Sequence, residues 1–368
     1  MTTKPDFRPV PLDRLVGDPT YQTNLLLWLL IPSTGAVVEP ILYKVGYRLK
    51  YLEPELPLPL EMINDLAEKN VVHRQEVSPD LLISSTDKDY VTLECKSRMF
   101  GSKVQPGSGN SQQKQARSLL LLVPQILASA INLQKKDVAS NHIVYLSRHE
   151  PQHPQTKGLQ ELSEELQKLN YRTAPFGLLG LEAVGKKIIL RSGYKPGQLP
   201  TRLSEALGKK GVLLQQVTDD FTDPRPLYYL PWLPDTTPDD DEYSHSAFEQ
   251  RIYAAAVAQI GPCRPPCEVV LEVDKLLASA TNNLYGQWRS PIVRKRLQKR
   301  TIDLLKKSIG KAVEGTLIQS LPAPKGIKFE IADEKSHSHI IEGLRKVEVK
   351  DWNKPLQPSL FDQEDEAE

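Results

Sequence analysis

Residues 78–97 read SPDLLISSTDKDYVTLECKS, and the reading of this stretch decides the fold. Asp80 to Ser84 carries an apolar run that suits a strand. Ser85 to Asp89 is polar and turn-forming, and Tyr90 to Ser97 returns as a second strand. Side chains alternate across a strand, so Val91, Leu93 and Cys95 share one face while Thr92, Glu94 and Lys96 share the other. Burying the apolar set holds Glu94 and Lys96 side by side, and hairpin pairing carries Asp80 toward Glu94. Two carboxylates brought together repel unless a cation lies between them. Hard oxygen donors of this kind suit Mg²⁺ or Mn²⁺, and the neighbouring lysine is placed to orient or activate a water.

Pro79-Asp80 followed, after thirteen residues, by Glu94-Cys95-Lys96 resembles the two halves of the PD-(D/E)xK nuclease motif on its hairpin. The resemblance implies metal ligation by Asp80, Glu94 and the backbone carbonyl of Cys95, with Lys96 as the catalytic lysine. It also implies a restriction-endonuclease-like αβββαβ core, a mixed sheet flanked by helices. In that family a helix before the hairpin often supplies a further acid, for which Glu39 is the candidate. The helix after it often brings a glutamine or lysine, for which Gln115, or Gln113, is placed. The plain alternative is a surface hairpin whose Glu and Lys form a weak ion pair.

Composition sets the frame. The chain has 368 residues, enough for two domains, with 39% hydrophobic and 25% charged residues, ordinary for a protein with a packed core. A net charge of +1 means that any basic surface is local. Three cysteines, Cys95, Cys263 and Cys267, give no disulfide framework and suit a reducing, cytoplasmic setting. The longest apolar run, Asn24 to Ile31, is too short for a membrane span.

Taken in order, residues 1–20 read as an extended lead-in and Tyr21 to Ile31 as a buried helix. From Ala36 the positions Val37, Val38, Ile41, Leu42, Val45 and Leu49 have helical spacing, with Glu39 inside that helix. A proline-rich connector, a helix over 60–70 and a strand over 71–77 lead into the hairpin. A Gly-Ser loop follows, then a single helix over 112–134, a strand over 141–147, a helix over 155–169 and one or two strands over 171–190. The sequence places the end of the nuclease-like domain near Gly193, giving 1–193 as the first domain.

Residues 194–350 read as a second, α+β and mainly helical domain. A short strand over 227–230, an acidic surface loop over 236–242 and an alanine-rich helix over 246–260 open it. Cys263 and Cys267 have a spacing found in zinc sites but lack a second ligand pair, so zinc is not expected. A helix over 289–311 is basic around an apolar stripe, and Arg289, Arg294, Arg296, Lys299 and Arg300 are its candidate phosphate contacts for nucleic acid. Tyr285 and Trp288 beside it are placed either to stack on bases or to pack.

Residues 351–368 are an acidic, polar tail expected to be disordered. Inside it, Gln357-Pro358-Ser359-Leu360-Phe361 resembles the QxxLF peptide with which bacterial proteins dock on the DNA-polymerase sliding clamp, with Gln357, Leu360 and Phe361 as its contacts. The expectation is a Mg²⁺- or Mn²⁺-dependent deoxyribonuclease of a phage-defence, restriction or DNA-repair system. Its partners would be DNA, a sliding clamp and an ATPase or recognition subunit, since no GxxxxGK[ST] string occurs. Oligomeric state is left open. The alternative from another class is a catalytically silent nuclease-fold subunit that binds DNA or protein.

Overall fold

The computed structural model describes residues 12–32, 38–96, 110–149, 154–192, 198–208, 210–216, 229, 242–312, 318–322 and 325–352. Helices α1 (Leu12–Leu15), α2 (Pro19–Leu30) and α3 (Ile41–Lys44) come first. Strands β1 (Arg48–Leu52) and β2 (Leu56–Pro57), helix α4 (Leu60–Glu68) and strands β3 (Glu76–Val77), β4 (Leu81–Ser84) and β5 (Asp89–Lys96) follow. The chain continues through α5 (Ser111–Leu120), α6 (Pro124–Ala130), β6 (Ser140–Arg148), α7 (Pro154–Lys168), β7 (Phe176–Val184), β8 (Lys187–Ser192), α8 (Thr201–Leu207) and β9 (Val212–Gln216). The remainder is α9 (Glu242–Ile260), β10 (Cys267–Glu272), α10 (Val273–Ala280), α11 (Pro291–Ala312), β11 (Gln319–Pro322), β12 (Lys325–Ile331) and α12 (Glu334–Trp352).

The hairpin forms where the alternation requires it. Ser85 closes the turn: its amide donates to the Asp89 carbonyl, and its hydroxyl accepts from the Asp87 and Asp89 amides. Lys88 takes a positive φ of 64° there, within a polar segment that can absorb it. Leu81 pairs with Leu93 and Ser84 with Tyr90, so one further step along the register sets Asp80 against Glu94.

The hairpin supplies the second and third strands of a seven-stranded mixed sheet in the order β1-β4-β5-β6-β7-β8-β9. The pairs β5–β6 and β6–β7 are parallel; β1–β4, β4–β5, β7–β8 and β8–β9 are antiparallel. The molecule is thus α/β. Val91, Leu93 and Cys95 join Val144, Leu146, Leu179 and Leu181 under α2 and α8. Tyr90, Ile143, Tyr145 and Leu178 pack on the other face beneath α5, α6 and α7. With helices on both faces, six consecutive positions of β5, from Tyr90 to Cys95, are buried. Each fully buried Leu or Val contributes roughly 1.5–3 kcal/mol of transfer free energy, which fixes the register of the strand that holds Glu94.

Several elements differ from the sequence reading. The helix expected from Ala36 to Leu49 shrinks to the four residues of α3. Pro40 restricts Glu39 to extended backbone, and Gly46, at a φ of 95°, turns the chain into β1. The third strand beside the hairpin is therefore β1, not residues 71–77, of which Glu76–Val77 pairs with β2 in a separate ribbon. The helix expected over 112–134 is broken at Pro124, which starts α6. The sheet runs on past Gly193, since β9 pairs with β8.

In the second half a three-stranded antiparallel sheet, β10-β12-β11, packs with α9 to α12. The readings over 227–230 and 236–242 lie largely outside the described residues. The two halves meet where Trp288 forms a β-bridge with Leu52 of β1 and its indole donates to Glu53 at 3.3 Å. Ser290 donates to Glu55 beside it, and Arg289 stacks on Tyr51 at 4.8 Å. One continuous apolar cluster joins both halves.

Candidate active site at the end of strand β5

Four side chains converge where β5 ends. Glu94 is 4% exposed, and its Oε1 accepts from Lys96 Nζ at 2.5 Å and from Gln115 Nε2 at 3.0 Å. Lys96 also donates to Gln115 Oε1 at 3.2 Å, so the glutamine amide bridges acid and base. Asp80 Oδ2 accepts the Cys95 amide at 2.5 Å, which ties the carboxylate of β4's leading edge to the backbone between Glu94 and Lys96. Glu94 Oε2 is buried and has no hydrogen-bond partner.

Gln115 reaches the site because α5 is held at both ends. Asn110 caps it by accepting the Gln113 amide at 2.9 Å. Two residues after Gln115, the wholly buried Arg117 makes paired bonds to Glu165 of α7, the shortest 3.0 Å, and donates to the Val72 carbonyl at 3.2 Å.

The electrostatics of this cluster are unresolved by the protein alone. Burial, and then the Asp80 carboxylate, push Glu94 from 4.5 up to about 8, while Lys96 and Gln115 pull the other way. Burial also raises Asp80, against the Cys95 amide and the Lys96 ammonium. Both acids disfavour ionisation in the same place, with one ammonium to offset two carboxylates. An orphaned, buried Glu94 oxygen beside a second carboxylate is a donor set that fits a hard divalent cation. Among the described residues no group of three or more His, Cys, Asp and Glu is placed to hold a metal, so the fit rests on these two acids and on backbone or solvent oxygens.

The structure brings Asp80, Glu94, Lys96 and Gln115 together and leaves Glu39 apart. Glu39 is exposed and pairs with Lys44. The clamp-like residues Gln357, Leu360 and Phe361 lie outside the described residues. On α11, Arg294 stacks on Tyr285 at 4.9 Å and Arg300 pairs with Glu249 at 3.0 Å, as Arg289 does with Tyr51. Arg296 and Lys299 remain exposed, with Lys295, Lys307 and Lys311. Tyr285 and Trp288 are 3% and 2% exposed, so they pack rather than present faces for bases.

Sequence reasoning missed Gln22. It lies on α2, fully buried, and its Nε2 donates to the carbonyls of Val16 at 2.8 Å and of Lys96 at 3.3 Å. It thereby pins the backbone of the residue that carries the lysine. A glutamine beside Thr23 and Asn24, in the first turns of a helix whose remainder is apolar, is the signal that marked it. Comparison of the chain with models of protein families, with curated proteins and with solved structures finds no match in any of the three.

Proposed function

We propose that the chain is a metal-dependent nuclease that hydrolyses phosphodiester bonds in DNA at the Asp80–Glu94–Lys96 site. The observation that carries this reading is the acid pair at the end of β5, with the buried Glu94 Oε2 unpartnered and both carboxylates pushed toward protonation, chiefly by burial. The order of helix, hairpin strands, helix and parallel strand agrees with the restriction-endonuclease-like core that the motif implies. Asp80, Glu94 and the Cys95 carbonyl would hold a Mg²⁺ or Mn²⁺, which when bound would supply Lewis acidity to a water and to the scissile phosphate.

The chain's own groups do the rest. Lys96 holds a proton at Nζ beside Glu94 and is positioned to orient the attacking water. Gln115 fixes the lysine and Glu94 relative to one another. The exposed Lys295, Lys299 and Lys307 of α11 offer charge to the phosphate backbone, a contact without base preference. By its motif the chain belongs to defence, restriction or repair in the cytoplasm, with a recognition or ATPase subunit and a sliding clamp engaged by 357–361 as its partners. A catalytically silent subunit that binds DNA is the competing reading, because the Lys96–Glu94 pair already offsets part of the charge.

Supercoiled plasmid with Mg²⁺ or Mn²⁺ tests the proposal. The wild type nicks or linearises it, and Asp80→Ala and Lys96→Ala each lower the rate by about 10²-fold or more. Equal cleavage by all three proteins would place the activity elsewhere; DNA binding without cleavage would favour the silent subunit.

A further inference from the structure

α11 carries eight Lys and Arg residues against a single acid, Asp303. Its apolar stripe of Val293, Leu297, Leu305 and Ile309 is buried, which turns Lys295, Lys299, Lys307 and Lys311 outward. None of these four lysines has an ion-pair or hydrogen-bond partner among the described residues. Ile292, 60% exposed, lies on the same outer face one turn before Lys295. α12 packs against α11, and a Cβ on its Gly343 would lie 2.8 Å from that of Ala312 at the end of α11. From Gly343 to Trp352 is about 13 Å of helix, at 1.5 Å per residue. Residues 353–368 follow, and in their sequence Asp362, Glu364, Asp365, Glu366 and Glu368 stand together with no base among them. Extended, those residues span up to about 50 Å, more than the roughly 33 Å length of α11. Every lysine on that helix is therefore within their reach.

We propose that the chain's own residues 360–368 dock on the outer face of α11, acids against Lys295, Lys299 and Lys307, and Leu360-Phe361 against Ile292. Charge complementarity selects this occupant, since five acids meet a row of unpaired lysines. The apolar pair directly before the acids gives the exposed Ile292 a partner, which a phosphate backbone does not. Ion pairs on an exposed face are individually weak. Tethering offsets this, because a short linker holds its segment at an effective concentration of about a millimolar or more. The docked segment withholds the face from nucleic acid, and salt loosens it as it loosens any exposed pairing. The competition with nucleic acid rests on α11 being the phosphate contact of the proposed nuclease; the docking itself does not.

A carbodiimide, which joins a carboxylate to an amine in contact with it, is applied to the dilute full chain without nucleic acid. The monomer is then digested and its cross-links are read by mass spectrometry. Links are expected between the acids of 362–368 and Lys295, Lys299 or Lys307, and they should vanish at about 1 M NaCl. A chain with Asp362→Asn, Glu364→Gln, Asp365→Asn, Glu366→Gln and Glu368→Gln should show those lysines at least about twofold more reactive toward acetic anhydride, with exposed Lys168 unchanged. Links from the acids to lysines elsewhere, links only between two chains, or links to these lysines from 235–242 instead would each overturn the proposal. With chelator present to prevent cleavage, the neutralised chain should bind duplex DNA about tenfold tighter than the wild type. Equal affinity would overturn the competition. The cross-links involve no nucleic acid, so the docking and the nuclease reading succeed or fail separately.

Discussion

Ionised Glu94 is opposed by burial and by Asp80, and favoured by Lys96 and Gln115. Its pKa in the folded chain, about 8, lies above the 4.5 of a free carboxyl, so in this range the native state binds more protons than the unfolded one. The stability associated with Glu94 is present below pH 4.5 and is lost as pH rises through about 8. His142 and His149 are shifted down by burial and work in the opposite sense, but only below the ordinary histidine range. With chelator present, the melting temperature is therefore expected to fall between pH 7 and pH 9. Glu94→Gln should flatten that fall and raise the pH 9 value by several degrees, about 5 °C. Thermal melts at the two pH values check this; a Glu94→Gln profile parallel to the wild type would contradict it.

At this scale the sequence was legible where spacing alone decides position. Asp80, Glu94 and Lys96 meet because a two-residue period and one turn fix them. Glu39 and Gln22 were not legible, because which helix approaches the end of β5 depends on packing from distant parts of the chain.

Among the elements, α5 carries the longest chain of consequence. Arg117 is wholly buried, and Glu165 offsets its charge. Removing one partner of a buried pair leaves the other uncompensated, which typically costs about 3–5 kcal/mol. Glu165→Ala should lose about 3 kcal/mol in urea denaturation, at the low end because Glu165 keeps some solvent contact. Glu164→Ala, one residue away on the exposed side, should change stability by less than about 0.5 kcal/mol. Equal effects would remove Arg117 from its role in holding Gln115. Elements with one clean signal, a single period or an unbroken apolar run, were readable from sequence: α2, α4, α7, β6 and the hairpin lie within a few residues of expectation. β1 was hidden because Ile41, Leu42, Val45 and Leu49 mimic a helix, and only Pro40 and Gly46 divide the segment.

For the whole molecule, the β1 edge is the seam between the two halves. Trp288 is 2% exposed, bridges to Leu52 and donates to Glu53, whose amide donates to the Asp80 carbonyl at 2.9 Å. A single residue, Glu53, thus stands between the second half and Asp80 of the candidate site. Trp288→Ala should cost about 3–5 kcal/mol and split thermal unfolding into two transitions in calorimetry. A single transition at an unchanged temperature would show that the seam does not couple the halves. Nothing in the sequence announced this seam, since Trp288 beside a basic helix reads equally well as a stacking residue.

The central claim is that the Asp80–Glu94 pair is short of positive charge that a divalent cation supplies, and direct titration with Mn²⁺ in the absence of nucleic acid tests it best. The wild type should bind Mn²⁺ and release protons as it does so, because Glu94 is partly protonated at neutral pH. Asp80→Asn and Glu94→Gln should lose that binding, while Lys96→Met, which removes the competing ammonium, should keep or tighten it. Binding of equal strength in the wild type and in Glu94→Gln would contradict the claim.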